Sequence, residues 1–219
     1  MINPAISVHS ATEDGQAVGR VPELRLTPSS VLGLYAFAAA TFMVAAHMAH
    51  WYGTTQSALI MFPLVLIFGL AQFYAGAWAF QTRDAVSLAM HGTWGAFWIA
   101  YGILEILISS GRVVRRSGAF PELGFWFIAI AVITWAIMLA SRKHPGMMSL
   151  LTLVAIGATL EAIAELAGLG GLRILAGYFL IASAIVAWYL ASGLMMRFEN
   201  AARSPLEMRP SLNDTQRAA

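Results

Sequence analysis

Five side chains of the sequence stand out for their chemistry. His91, Trp94, Trp98, Tyr101 and Glu105 recur at steps of three, four, three and four, which places them on one face of a helix. Gly92, Gly95, Ile99 and Gly102 fall on another face, mostly small and suited to close helix packing. One side of this helix therefore packs on a neighbour, and the other presents aromatic and titratable groups to something other than lipid. Glu161 and Glu165 are four apart, so they share a face. Neighbouring carboxylates and burial both favour the protonated form, which makes the pair a candidate proton site or polar lining. The blander reading keeps only Glu161 deep and leaves Glu165 at an interface. His47 and His50, three apart, are a titratable pair that with distant carboxylates could bind metal. Gly69, Gln72, Gly76 and Ala79 form a small stripe with one amide in it.

These groups sit in a sequence that is poor in charge. The chain has 219 residues, 59% of them hydrophobic and 11% charged, with 13 Lys and Arg against 11 Asp and Glu. A water-soluble domain carries about 25% charged residues, so a cytosolic globular protein is excluded. The net charge of +2 gives no footing for nucleic acid. The absence of Cys removes disulfides, thiolate metal sites and cysteine nucleophiles. No charged residue occurs between Leu26 and Thr82, room for two membrane spans of about 20 residues each. Six spans are expected: Val31–Trp51, Ala58–Phe80, Val86–Ser109, Phe120–Ala140, Met147–Ala167 and Ile174–Met196. All must be helices, because lipid cannot satisfy a bare backbone. The expected fold class is an all-α integral membrane protein with one six-helix bundle per subunit.

Residues 1–26 are expected to be a flexible cytoplasmic tail, 27–197 the transmembrane domain, and 198–219 a second polar cytoplasmic tail. Placing both termini in the cytoplasm puts nine Lys and Arg inside. Arg112, Arg115, Arg116 and Arg173 are then outside, as the positive-inside rule prefers, although the Arg115-Arg116 pair opposes it locally.

Two stretches resemble the acetate uptake transporter family, which includes the succinate–acetate permease and its yeast relatives. One runs from Val31-Leu32-Gly33-Leu34 to His47; the other joins Ala71-Gln72-Phe73-Tyr74-Ala75-Gly76 to Gly95-Ala96-Phe97-Trp98. The similarity extends from about Thr27 to Arg197. Where that family has Asn-Pro-Ala-Pro, this chain has Thr27-Pro28-Ser29-Ser30. Ala40 replaces the first Thr of a pair whose second is Thr41, Ala79 an acidic residue, and Trp94 a Tyr. The resemblance implies a transporter or channel for small monocarboxylates in the cell membrane. Each subunit of a homo-hexamer would have its own pathway, with an apolar neck at Phe37, Trp94 and Leu160. A charged carboxylate is costly at lipid depth. Thr41, His47, Gln72 and Trp98 are accordingly expected to hold the carboxyl group, and His91, Glu161 and Glu165 to handle a proton or line the path. No enzyme activity, cofactor or bound metal is expected. The competing readings are a non-transporting sensor or assembly subunit, and an intramembrane metal enzyme, which lacks a His-Glu-x-x-His motif.

Overall fold

The computed structural model describes residues 28–115 and 118–207. Residues 1–27, Arg116, Ser117 and the end of the chain after 207 lie outside them, and with them the expected N-terminal tail. Six helices follow in order: α1 (Pro28–Met48), α2 (Thr55–Gln81), α3 (Ala85–Ser109), α4 (Pro121–Ala140), α5 (Pro145–Ala167) and α6 (Gly170–Glu207). All six are long and apolar enough to cross a membrane, and each overlaps an expected span. α6 runs on past Arg197 as helix, so the expected tail at 198–219 begins as a helical extension.

Local chemistry sets the ends. Thr54 and Asp84 cap α2 and α3, each accepting a hydrogen bond from a backbone N–H of the first turn, at 3.1 and 3.0 Å. This satisfies donors that a helix start otherwise leaves bare. α4 and α5 open on Pro121 and Pro145, where the missing N–H costs nothing. α5 stops at Gly168, whose φ of 68° suits a residue without Cβ. A Cβ there would also lie 3.0 Å from the Ala119 nitrogen, so the α5–α6 turn packs on the chain entering α4.

Each helix packs on its neighbours in sequence, and α6 returns to α1, so the six close a ring. α1 also touches α3 and leans toward the interior. The α3–α4 seam is the thinnest of the ring and the α2–α3 seam the most extensive. At the α2–α3 seam a Cβ on Gly76 would lie 2.6 Å from the Gly92 nitrogen, one on Gly95 2.5 Å from the Phe73 nitrogen, and one on Gly69 2.9 Å from the Ile99 nitrogen. The two backbones approach as closely as small residues allow. The small stripes read from the sequence meet each other here, within one chain. The outward face of α2 is left with Ile60, Leu64, Ile67, Phe73 and Trp78 exposed, as a lipid-facing surface requires.

Gly92 differs from its neighbours, since a Cβ built on it meets nothing within 4 Å. Gly95→Leu is expected to lower the thermal stability of the detergent-solubilised protein by about 1–3 kcal/mol or more through overpacking. Gly92→Ala should cost nothing or stabilise. Thermal unfolding of both variants checks the pair; equal effects would mean that the seam does not depend on backbone approach.

Candidate functional site: a buried column from His91 to a charged mouth

The five-residue face of α3 turns inward as its spacing required. His91, Trp94, Trp98, Tyr101 and Glu105 are all buried, the most exposed at 4%. The structure places them in a column about 21 Å long, at 1.5 Å per residue.

At the lower end, the His91 ring lies against Gly33 of α1, where a Cβ would come within 2.5 Å of it. Neither ring nitrogen has a hydrogen-bond partner in the protein. One turn on, Trp94 meets Phe37 of α1 edge to face, with ring centroids 5.7 Å apart. The Trp94 indole N–H donates to Thr134 Oγ1 of α4 at 3.0 Å, and Thr134 in turn donates to the Ile130 carbonyl at 2.6 Å. Trp94 has one donor, and α4 takes it, so the ring offers only apolar surface. Thr134 was not singled out in the sequence, where one Thr in an apolar span carries no signal. Phe97, Trp98 and Tyr101 continue the aromatic column, closed from α4 by Trp126 and Phe127.

Phe37 and Trp94, two of the residues expected at the neck, thus lie in contact. Leu160 is only partly buried, at the margin of the core. Thr41 and Gln72 are fully buried, and the Thr41 hydroxyl and both polar atoms of the Gln72 amide lack hydrogen-bond partners. The Trp98 indole N–H is likewise unpartnered. Buried polar groups without partners are uncommon, and here they cluster around one column.

The sequence reading grouped Thr41, His47 and Gln72 as one carboxyl site, and the structure separates them. Gln72 precedes Phe73, which packs on Gly95 at the level of Trp94. The His47 ring instead packs on Phe62 at 5.6 Å and on Tyr52 at 5.3 Å. Phe62 lies ten residues before Gln72, about 15 Å along α2. His47 therefore belongs to the mouth. His91 and Glu161, assigned together to proton handling, also lie at opposite ends of the column.

The mouth carries an ion network that the sequence reading did not assemble. Arg115, in the loop after α3, hydrogen-bonds Glu105 at 3.2 Å and also Glu165. Arg173, in the first turns of α6, pairs with Glu161 at 3.4 Å and Glu165 at 3.5 Å. Glu165 is thus buried and shared by two guanidiniums. Two cations, Arg115 and Arg173, face the pair that Glu161 and Glu165 form on one helix face. The arginine side chains are 20–21% exposed and the carboxylates at most 5%, so the guanidiniums front the carboxylates. A cleft of about 390 Å³ opens beside Arg173 and is lined by His47, His50, Tyr52 and Gly53. A second, of about 280 Å³, reaches Glu105 and Arg115. The Tyr52 hydroxyl donates to the Met43 carbonyl at 2.6 Å. Burial, and then the Glu105 carboxylate, push this phenol up to about 12, so it remains a neutral donor at physiological pH. His50 is exposed at a φ of 59°. Among the described residues no three His, Cys, Asp or Glu side chains converge to hold a metal.

Residues 14–208 match the model of the GPR1/FUN34/yaaH family. The chain belongs to that family. Similar curated relatives are the ammonia transport outward protein 2 and the accumulation of dyads protein 2 of Saccharomyces cerevisiae (strain ATCC 204508 / S288c). Both are 27% identical over 164 residues, 73% of this chain and 58% of theirs. The chain therefore spans under two thirds of the relatives it matches. The solved structure of the bacterial acetate channel SatP superposes with a TM-score of 0.71 at 20% identity, covering 80% of this chain and 95% of that one. The six-helix fold is shared with that channel. The chain is a multi-pass membrane protein of that family.

Thr134→Val removes the only acceptor of the Trp94 N–H while keeping the shape of the side chain. A buried unmatched donor costs about 1–3 kcal/mol. The expected result is a lower unfolding temperature and a blue-shifted tryptophan emission, with Thr134→Ser close to the native protein. A Thr134→Val protein unchanged in both would show that the bond does not hold the ring.

Proposed function

We propose that the chain is an acetate-class transporter or channel, which passes small monocarboxylates through the column of each subunit, in a form linked to a proton. The observation that carries this reading is the alternation along one buried face. Unpartnered polar atoms of His91, Gln72, Thr41 and Trp98 flank an apolar constriction of Phe37 and Trp94. Such a face suits a molecule with one polar end and a short apolar end. Bare ions are disfavoured at an apolar narrowing, where nothing replaces their water. A carboxylic acid passes most readily when neutral. Family membership and the acetate channel that shares the fold support the same substrate class.

Both termini are proposed to be cytoplasmic, in the cell membrane. Nine Lys and Arg on the inner side against four at the mouth carry this orientation. The mouth then faces outward. Assembly into a homo-hexamer is kept as a proposal. The glycine stripes are used inside the chain and give no separate support for it.

The test is uptake of labelled acetate, propionate and butyrate into proteoliposomes, with ammonium as the competing substrate. Trp94→Ala and Phe37→Ala, once shown to fold and assemble, should admit longer acids and reduce the preference for acetate by about tenfold, the scale of one or two methylenes in a pocket. Rates and size preference unchanged in both variants would assign these residues to packing alone. Uptake of ammonium without acetate would replace the substrate class.

A further inference from the structure

The reading just given leaves Arg173 and the buried carboxylates behind it without a role. We infer that Arg173 is an exchangeable cation: it leaves Glu161 and Glu165 to capture the carboxylate of the incoming substrate, and Glu161 hands that carboxylate a proton. This deepens the monocarboxylate reading and rests on it.

The two arginines of the mouth are held differently. Arg115 makes hydrogen bonds to Glu105 and Glu165. Arg173 stands 3.4 Å from Glu161 and 3.5 Å from Glu165, and neither its Nε nor either oxygen of Glu161 has a hydrogen-bond partner. Charge-assisted hydrogen bonds run at about 2.7–2.9 Å, so Arg173 is held by attraction alone and its planar fork is unspent. Arg173 also lines both clefts. The larger one presents His47, His50, Tyr52 and Gly53 beside it and no carboxylate. A guanidinium fork matches a carboxylate with two parallel bonds, which Glu161 and Glu165 do not give it.

Charge balance supplies the proton. Three buried carboxylates, Glu105, Glu161 and Glu165, face the two guanidiniums of Arg115 and Arg173. The groups around Glu161 are Glu165 on its own helix, Arg173 on α6, Arg115 in the α3–α4 loop, and Tyr101 and Glu105 on α3. When Arg173 swings to the substrate, only Arg115 remains against the three carboxylates. An unmatched buried carboxylate is costly, so Glu161 takes a proton from water at the mouth. The Glu161 O–H bond then breaks as its proton passes to a substrate carboxylate oxygen. The neutral acid leaves Arg173 for the constriction, and Arg173 returns to the restored Glu161 carboxylate. One proton accompanies each carboxylate.

The experiment uses the full chain in liposomes, with labelled acetate as the probe and an inward acid gradient. The native protein should show saturable uptake driven by the gradient. Arg173→Lys and Arg173→Gln should each raise the half-saturating acetate concentration about tenfold or more, the scale of a lost hydrogen bond to a charged group. Glu161→Gln should abolish the acceleration by external acid. Arg142→Gln, exposed at the opposite end, is the control for surface charge. Half-saturation within twofold of native in both Arg173 variants, or a native response to acid in Glu161→Gln, overturns the inference. If Arg173→Gln does not assemble, Arg173→Lys and Glu161→Gln decide. Native liposomes no faster than protein-free ones would instead overturn the monocarboxylate reading itself.

Discussion

The close approach of α2 and α3 is the constraint on which the site depends. Gly69 and Gly76 on one helix and Gly95 on the other bring backbone against backbone. That contact fixes the rotation of α3 about its axis. With the glycine side turned to α2, the face of His91, Trp94, Trp98, Tyr101 and Glu105 has to point inward. A larger residue at the seam would push the helices apart and leave that rotation loose. In lipid no hydrophobic force compensates, because the surrounding tails are as apolar as the core.

The inward face then has a graded environment. Its middle is aromatic and dry, closed by Phe37 from α1 and by Trp126 and Phe127 from α4. Thr134 accepts the one donor of Trp94 and leaves the ring apolar toward Phe37. The upper end is ionic. Three buried carboxylates are tolerable there only because Arg115 and Arg173 reach them from a loop and from the start of α6. The two ion pairs of Glu165 tie α5 to elements on both sides of it, across the mouth where the α3–α4 seam is thin. A change to either arginine therefore acts on the packing of this end as well as on its charge.

Much of this was legible in the sequence. The lack of charge from Leu26 to Thr82 required membrane spans, and the turn residues between apolar runs placed their ends within four residues, except the end of α6, which runs on eleven residues past Met196. The step of three and four along α3 identified the buried face, because a helix repeats every 3.6 residues whatever surrounds it. The stripe at Gly69, Gln72, Gly76 and Ala79 was readable as buried for the same reason. The pairing of Thr41 and Gln72 with His47 was not recoverable, since residues on separate helices carry no mark of relative depth.

What the sequence determined by itself is whatever one helix and its solvent decide: six spans, their approximate limits, and which side of each is small, aromatic or titratable. Lipid imposes those features on every segment separately, by forbidding bare backbone and unpaired charge. What only the tertiary structure decided is which groups from different segments meet. Arg115 and Arg173 read as loop charges, to be counted in an orientation rule, until the ring closed and set them against Glu105, Glu161 and Glu165. Thr134 was one hydroxyl in an apolar run until Trp94 came within 3.0 Å of it. The physical reason is that a charge or a donor acquires its meaning from a partner a few ångströms away, and a partner 40 or 50 residues distant in the chain is fixed only by packing.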